Sequence, residues 1–164
     1  MTSIIVAIDR DGAIGRGGNL LYHIRPDLRH FKALTVGNTV VMGRKTFESL
    51  PKGALPDRRN IVITRREDYT APGAEIAASP EEALRMASEG PGETFIIGGG
   101  EIYARLLPFA DRLCLTIIDA STPGEDKVHF PPIDPEEWSI ADTTPPETDP
   151  DSGLSYTFTT LQRR

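Results

Sequence analysis

The chain has 164 residues, of which 38% are hydrophobic and 26% are charged, and its formal net charge is −6. This size and composition predict one globular domain over residues 1–164, with a core large enough to fold without disulfides or structural metals. The excess of acidic residues argues against nucleic acid as a partner, because nucleic-acid-binding proteins need a basic face.

Cysteine content and hydropathy bear on the cellular compartment. Cys114 is the single cysteine, so no internal disulfide can form, which favours a reducing, cytoplasmic setting. Its apolar surroundings, RLCLTII, predict a buried structural thiol. The sequence contains no signal pattern, and its apolar runs are far shorter than the roughly 18–20 residues that span a bilayer, so we expect no membrane partner.

Short β-branched runs alternate with helical stretches, a pattern typical of an α/β domain with a largely parallel sheet. Continuous apolar runs predict strands covered on both faces, at 3–8, 38–42, 60–64, 74–77, 94–98 and 112–118. Two further strands, at 138–142 and 154–162, are joined by a proline-rich connection and predict an antiparallel hairpin at one sheet edge. Between the hairpin and the preceding strands, 134–138 is predicted to form a turn capped by Asp134.

Three helices are indicated by their end signals. The clearest has Ser79 as N-cap, Pro80 at its first position, Glu82 completing a capping box, and Gly90 as its stop. The two others are a short helix over 43–50, stopped by Pro51, and a helix over 101–109 that ends near Pro108 and places Ile102, Leu106 and Phe109 on one side.

A fourth helix, starting near Pro26, would carry a carboxylate in line with its apolar side chains: Ile24, Asp27, Phe31 and Leu34. Burying an unpaired charge costs several kcal/mol, so Asp27 needs a partner or a function. The ordinary interpretation is a helix N-cap or first-turn acid, which stabilises by roughly 0.5–2 kcal/mol, and the two roles can coexist.

Three strand ends run into residues suited to phosphate groups: Gly43-Arg44-Lys45-Thr46, Thr64-Arg65-Arg66 and Gly98-Gly99-Gly100. In an open parallel sheet, ligands bind outside the carboxyl ends of the strands, where helix N-termini, glycines and arginines favour anions. Each turn alone is more often an ordinary turn or a solvated helix start, but the three together predict a dinucleotide site. The G-x-G-x-x-G fingerprint of a standard Rossmann domain is absent, and the arginines favour NADPH over NADH.

Residues 9–19 follow the first strand and contain four glycines: Gly12, Gly15, Gly17 and Gly18. So many glycines weaken a helix or a strand, which predicts a long loop. Because it directly precedes the Asp27 helix, we interpret it as a lid over a binding site rather than a plain surface loop. The histidines His23, His30 and His129 lack metal-ligand spacing, so we expect no metal site.

Six segments occur in the order and spacing found in dihydrofolate reductases: AIGRGGNLLYHIRPDLRHFK, VVMGRKTFESLP, LPDRRNIVIT, FIIGGGEIY, LTIID and HFP. From Ile5 to its last residue the chain resembles the bacterial chromosomal type of that family. The resemblance implies an α/β single domain with a central eight-stranded, mostly parallel sheet, an antiparallel C-terminal strand and four flanking helices. It also implies a monomer that reduces 7,8-dihydrofolate to tetrahydrofolate with NADPH.

By motif position, the resemblance assigns site residues. Those expected to contact folate are Ile5, Val6, Ala7, Asp27, Leu28, Phe31, Lys32, Leu55, Arg58, Ile97 and Thr116. Those expected to contact the cofactor are Ala7, Ile14, Gly43, Arg44, Lys45, Thr46, Thr64, Arg65, Ile97, Gly98, Gly99, Gly100, Glu101, Ile102 and Tyr103. Those expected to act in catalysis are Asp27 and Tyr22.

The resemblance also gives these residues roles. Asp27 would pair with the 2-amino group and ring nitrogen of the pterin, would have a raised pKa through burial, and would accept a hydrogen bond from Thr116. The pterin and benzoyl rings would be enclosed by three apolar side chains, those of Ile5, Phe31 and Leu55. Arg58 would hold the glutamate carboxylate with support from Lys32.

Four features depart from the family pattern. Tyr22 stands where the family usually has tryptophan, and Pro26 directly precedes Asp27, where the proline commonly lies two residues earlier. The segment GEDKVHFP is about one residue longer than usual, and Glu101 follows the glycines at a helix start, where it would repel a phosphate if it turned toward one.

Two other functions remain open. One is a reductase of the same fold that acts on another pterin or on a pyrimidine, such as a riboflavin-pathway intermediate. The other is a non-catalytic NADPH-binding module. The combination of Asp27, Phe31 and Arg58 favours folate.

Overall fold

The structure, a computed structural model, describes residues 1–16, 19–20, 22, 24–122 and 124–164. In chain order its strands are β1 (Thr2–Ile8), β2 (Ala13–Arg16), β3 (Asn19–Leu20), β4 (Thr39–Gly43), β5 (Arg59–Ile63), β6 (Glu75–Ala77), β7 (Thr94–Gly98), β8 (Arg112–Ile118), β9 (Lys127–His129), β10 (Trp138–Thr143), β11 (Glu147–Thr148) and β12 (Ser155–Arg163). The α-helices within the described ranges are α1 (Arg25–Thr35), α2 (Arg44–Ser49), α3 (Pro80–Ser88) and α4 (Gly100–Leu106).

One large mixed sheet organises the chain. Its continuous path runs β10-β12-β8-β1-β7-β4-β5-β6, and the two-residue β11 pairs with β12. The strands from β8 to β6 in this path are parallel, whereas β12 runs antiparallel to both β8 and β10. The predicted parallel sheet, the antiparallel C-terminal strand and the edge hairpin are therefore confirmed.

Both faces of the parallel strands are covered, as their continuous apolar runs predicted. Ile4 of β1 packs on the side of α3 and α4, and its neighbour Ile5 packs on the opposite side with Phe47 of α2. The same alternation continues in β4, where Val41 and Met42 belong to opposite core clusters. Successive side chains of a strand point to opposite faces, so each strand contributes to two cores.

The predicted strands are all present, with ends that differ by at most one residue from the predicted ones. At α3, Ser79 Oγ accepts a hydrogen bond from the Glu82 N–H at 3.1 Å. The Glu82 carboxylate accepts in return from the Ala78 N–H at 2.8 Å, one residue before the donor that a capping box uses. Asp134 caps its predicted turn by accepting from the Glu136 N–H at 2.9 Å.

The prediction that Phe109 lies on the same side of a helix as Ile102 and Leu106 is wrong. Leu106 is 0% exposed, but Phe109 is 55% exposed. Because Pro108 cannot continue an α-helix, α4 ends at Leu106 and Leu107–Phe109 form a 3-10 turn. The tighter winding turns Phe109 outward.

The prediction of a structureless loop over 9–19 is also partly wrong. Residues 13–16 form β2, which pairs with β3 on one side and β9 on the other in a separate sheet. Two hydrogen-bonded neighbours offset the entropy that Gly15 loses in a strand. Gly17 and Gly18 lie outside the described residues. The pairing between β2 and β9 shifts register between Ala13 and Gly15. β9 belongs to the GEDKVHFP segment, so the irregularity lies in β2, opposite that segment.

Cys114 is buried, as predicted, and burial raises the pKa of its thiol. None of the helices in the described ranges is long and apolar enough to cross a membrane.

Candidate active site

Asp27 lies in the first turn of α1, and its carboxylate contacts Thr116 of β8. Thr116 Oγ1 donates a hydrogen bond to Asp27 Oδ1 at 2.5 Å, and Thr116 is only 2% exposed. The N-cap of α1 is Ile24, which makes no side-chain capping bond. Asp27 is therefore a first-turn acid whose carboxylate is turned toward the sheet, and the predicted hydrogen bond is confirmed.

The proline that precedes Asp27 does not disturb the start of this helix. α1 begins at Arg25, which places Pro26 at its second position. The first N–H groups of a helix have no partner within it, so a proline there removes no hydrogen bond. The shifted proline is thus compatible with the position of Asp27.

Burial raises the pKa of the Asp27 carboxyl group, against the opposing effects of the Thr116 hydrogen bond and of the nearby His30. His30 lies one turn further along α1, and its ring stacks on Phe158 with centroids 3.8 Å apart. Burial lowers the pKa of His30, an effect that Asp27 partly offsets. Burial is thus the largest influence on the pKa of both groups.

An apolar wall extends from Asp27 on the same side of the sheet. Ile5 belongs to its buried core, and half-buried side chains pack against that core: Phe31, Leu55 and Ile97. On the outer flank of α1, Leu28 is 54% exposed and Lys32 is also exposed. These residues, which the sequence analysis predicted to contact folate, lie along one side of the sheet.

The neighbouring residues of β1 differ in direction. Ala7 packs with Tyr22 and Ile24 at the Asp27 end of the sheet. The side chain of Val6 packs in the core on the opposite face, because side chains alternate along a strand. Val6 could therefore contact folate only through its backbone, and such a contact remains a prediction.

Arg58 lies at the other end of the apolar wall. Its Nε donates to the Pro56 carbonyl at 2.8 Å, and its Nη1 donates to Thr35 Oγ1 at 3.1 Å. The Thr35 hydroxyl donates in turn to the Phe31 carbonyl at 2.8 Å. Two of the three guanidinium nitrogens are thus fixed, which sets the direction of the third. Partial burial lowers the pKa of Arg58, an effect that Asp57 offsets only in part.

The three predicted phosphate turns lie side by side. β7, β4 and β5 are consecutive neighbours in the sheet, and all three are parallel. At their carboxyl ends Met42 pairs with Gly98, and Gly43 pairs with Ile63. The glycine-rich and arginine-rich turns therefore meet at the carboxyl ends of these strands, where ligands of parallel α/β sheets bind.

Close packing explains the glycines of the third turn. The peptide between Gly98 and Gly99 is cis, and Gly98 has φ +123°. A Cβ at Gly98 would lie 3.3 Å from Tyr103 Oη, and one at Gly100 would lie 2.5 Å from Val128 Cγ1. The Tyr103 hydroxyl donates to the Ile5 carbonyl at 2.9 Å, and burial raises its pKa, so it stays protonated.

The remaining cofactor residues surround these turns. Ile102 is buried and lies beneath Gly43, where a Cβ would be 3.2 Å from its Cγ1. Ile14 of β2 lies near Gly100, since a Cβ there would be 3.9 Å from its Cδ1. Thr46 Oγ1 would lie 3.5 Å from a Cβ at Gly99.

Charged groups lie around the same strand ends. Arg44 pairs with Glu48 at 2.8 Å, and Lys45 and Arg65 are exposed. Thr64 is buried, and its Oγ1 accepts from the Arg66 N–H at 3.1 Å. Glu101 is an exposed first-turn acid of α4. These strand ends thus present three cationic side chains beside glycine backbone, an arrangement suited to a phosphorylated dinucleotide.

Tyr22 joins two loops near Asp27. Its hydroxyl lies 3.2 Å from Asp9 Oδ2, to which it donates, and 2.7 Å from Thr122 Oγ1. Asp9 is 2% exposed, and its Oδ1 accepts from the Ala13 N–H at 2.9 Å. The tyrosine thus ties the β1–β2 turn to the segment after β8.

Within the described ranges, no cluster of three His, Cys, Asp or Glu side chains is arranged to hold a metal ion. His23 lies outside those ranges.

Comparison with known proteins identifies the family. The family model for dihydrofolate reductase matches residues 1–163.

The chain belongs to the dihydrofolate reductase family.

It is 41% identical over 164 residues to the type 3 dihydrofolate reductase of Salmonella typhimurium, covering 100% of this chain and 99% of that protein. It is 44% identical over 156 residues to the dihydrofolate reductase of Neisseria meningitidis serogroup A, covering 95% and 94% of the two chains. A dihydrofolate reductase from Enterococcus faecalis, solved in complex with NADP(H) and RAB-propyl, superposes with a TM-score of 0.91 at 36% identity, covering 100% of this chain and 96% of that one.

Membership in the dihydrofolate reductase family confirms the predicted enzyme class, cofactor and fold. The chain is an NADPH-dependent oxidoreductase that reduces dihydrofolate. The resemblance that its motifs carried extends over nearly the whole chain.

Several residues of the site were not predicted from the sequence. Asp9 accepts a hydrogen bond from Tyr22, and Thr35 accepts one from Arg58, in each case from a residue distant along the chain. His30 lies one turn from Asp27 and influences the pKa of that carboxyl group. Asn60 had a visible signal, because asparagine disfavours strands and this one stands at the start of a buried apolar run.

Proposed function

We propose that this chain transfers a hydride to C6 of 7,8-dihydrofolate while Asp27 directs a proton to N5. The observation that carries the proposal is the Thr116–Asp27 pair at one end of an apolar wall that ends in Arg58. Such a surface has a carboxylate for the pterin, apolar side chains for two rings, and a cation for the glutamate.

The carboxylate suits the amino-pyrimidine edge of the pterin, since it accepts hydrogen bonds from two adjacent N–H groups. Burial raises the pKa of Asp27, so its protonated form is populated closer to neutral pH than in an exposed aspartate. We assign it the delivery of the proton, directly or through one water. Tyr22 would order the structure near Asp27, because its hydroxyl joins the β1–β2 turn to the segment after β8.

The apolar wall would hold the rings, and Arg58 would bind the glutamate. Ile5, Phe31 and Leu55 share one core face beside Asp27, so a flat ligand could lie along them. Arg58 would bind the α-carboxylate with its guanidinium group, which its bonds to Pro56 and Thr35 hold in place, and the exposed Lys32 would support it.

The strand-end turns fit the cofactor. The glycines at 43 and 98–100 leave backbone open to a ligand, and an added side chain would press on Ile102 or Tyr103 at Gly43 and Gly98 and would collide with Val128 at Gly100. We assign the phosphates to these turns and to nearby side chains: Arg44, Lys45, Thr46, Thr64 and Arg65. When bound, NADPH supplies the hydride.

We further propose that the chain is one catalytic domain that acts as a monomer in the cytoplasm and does not bind nucleic acid. The acidic net charge of −6 and the single buried cysteine support this assignment.

The test is a substrate panel for the purified protein. NADPH oxidation is measured with 7,8-dihydrofolate, with a dihydropterin that lacks the benzoylglutamate, and with a ribityl-substituted aminopyrimidine. We expect efficient turnover of dihydrofolate and a far higher KM for the dihydropterin. Preference for the pyrimidine would support the other reductase, and tight NADPH binding without any turnover would support a non-catalytic module; either would contradict the proposal.

A further inference from the structure

Asn60 is a buried amide that holds the backbone next to Arg58. It is the second residue of β5 and is 2% exposed. Its Oδ1 accepts from the Leu55 N–H at 2.9 Å, and its Nδ2 donates to the Leu55 carbonyl at 2.9 Å. The same Nδ2 donates to the Arg58 carbonyl at 3.0 Å. One side chain thus satisfies three backbone groups of a single turn.

This turn does not adopt its conformation through local preferences alone. Asp57, in its middle, has φ +60°, which non-glycine residues rarely adopt. The Asp57 carbonyl accepts from the Gly37 N–H at 2.8 Å, and Arg59 N–H donates to the Asn38 carbonyl at 3.0 Å. These bonds attach the turn from outside, whereas Asn60 joins its two ends from within.

The direction of the Arg58 side chain depends on that turn. Its Nε bonds the Pro56 carbonyl, which lies between the two residues that Asn60 holds. A turn that relaxed would move both this acceptor and the Arg58 backbone. The hydrogen bond from Arg58 Nη1 to Thr35 would remain, but it would no longer be joined by the bond from Nε.

We propose that Asn60 is a positioning residue that sets the affinity for the carboxylate-bearing tail of the substrate by orienting Arg58. The proposal rests on the function proposed above, and it assigns Asn60 no contact with the pteridine or the cofactor. Loss of its bonds should therefore change KM for the tailed substrate and leave the chemical step nearly unaffected.

The test compares two variants with the wild type. Asn60→Ala removes all three bonds, and Asn60→Asp keeps the acceptor while removing both donors. We expect each to raise KM for dihydrofolate by about 10-fold or more, with kcat within about twofold. KM for a tail-less dihydropterin should rise far less, because that substrate can respond only to a shift of Leu55. Equal loss with both substrates, or a fall in kcat alone, would overturn the proposal.

A double-variant cycle identifies the residue through which Asn60 acts. In an Arg58→Gln background, Asn60→Ala should raise KM much less than it does in the wild type. An equal factor in both backgrounds would contradict an action through Arg58.

Asn38→Ala is the matched control, because the side chain of Asn38 is a half-buried amide that bonds the Leu34 carbonyl and the Glu93 N–H. The substitution keeps the backbone carbonyl of residue 38, which accepts from the Arg59 N–H and supports the turn. It should lower the thermal unfolding temperature without raising KM. If Asn60→Ala does not fold, the KM of Asn60→Asp tests the proposal instead. Wild-type affinity for NADPH would show that the Asn60→Asp variant is folded. Absence of dihydrofolate turnover in the wild type would refute the proposed function, whereas an unchanged KM in folded Asn60 variants would refute only the role of Asn60.

Discussion

Asp27 is a carboxylate held where its charged form is disfavoured. The hydrogen bond from Thr116 stabilises the anion, but burial acts in the opposite direction and is the stronger effect. A group with a raised pKa in the folded state stabilises the protein below the unfolded pKa, and that stabilisation is lost as the pH rises through the folded value. Asp27 therefore lowers stability at neutral pH, where the proposed reaction needs it.

Asp27→Asn should accordingly be more stable than the wild type at about pH 7.5. We expect a gain of about 1 kcal/mol, which is typical when a strained functional group is neutralised and corresponds to roughly 2–4 °C in Tm for a chain of this size. The gain should shrink as the pH falls through the raised pKa of Asp27, because the wild-type carboxyl group then becomes protonated. Thermal unfolding at several pH values measures both effects.

Asp11 provides a control of opposite sign. Its carboxylate accepts from Ser121 Oγ, and this bond lowers its pKa. A lowered pKa stabilises above the unfolded value, so Asp11→Asn should give no gain at neutral pH. A gain for Asp11→Asn that matched that of Asp27→Asn would show that the loss of negative charge, not burial, is responsible.

The roles of single residues were only partly readable in the sequence. The position of Asp27 in an apolar stripe indicated a special role, but its partner came from the family resemblance, because Thr116 lies 89 residues away. His30 gave no such signal, since its stacking on Phe158 depends on how α1 crosses β12. Contacts between distant segments are set by packing, which no local pattern encodes.

The turn between β7 and α4 leaves little room for a side chain at Gly98 and Gly100. Gly98→Ala should weaken NADPH binding by about 10- to 100-fold, because φ +123° is strained for alanine and the methyl group would press on Tyr103. Fluorescence titration with NADPH measures the dissociation constant.

Gly153→Ala is the matched control for backbone strain. Gly153 has φ +75° with nothing within 4 Å of the added Cβ, so its substitution should lower stability but leave NADPH affinity unchanged. Equal weakening by both variants would mean that strain anywhere in the fold, rather than this turn, affects the cofactor site.

Secondary structure was predictable wherever one segment carried its own signal. Apolar runs located the strands of the large sheet, and Ser79 with Pro80 located the start of α3. The short strands β2, β3, β9 and β11 were missed, because their partners, not their residues, determine them. The exposed Phe109 was misplaced, because helical periodicity was extended through a proline.

The strand order places the two halves of the site on one sheet. β8 and β1 supply Thr116 and Ile5 beside α1, and the adjacent β7, β4 and β5 supply the phosphate turns. A hydride donor held at the turns would therefore lie next to a pterin held at Asp27. The sequence pattern predicted parallel strands, and the family resemblance added the antiparallel C-terminal strand, but the order of the strands is known only from the structure.

The most direct test of this account is the pH dependence of dihydrofolate-dependent NADPH oxidation in wild type and Asp27→Asn. If Asp27 directs the proton, wild-type turnover should fall as the pH rises through its raised pKa. The variant should be about 10²- to 10⁴-fold slower near neutral pH and should recover partly in acid, where solvent supplies the proton. A variant that keeps wild-type turnover at neutral pH, with the same pH profile, would contradict the account.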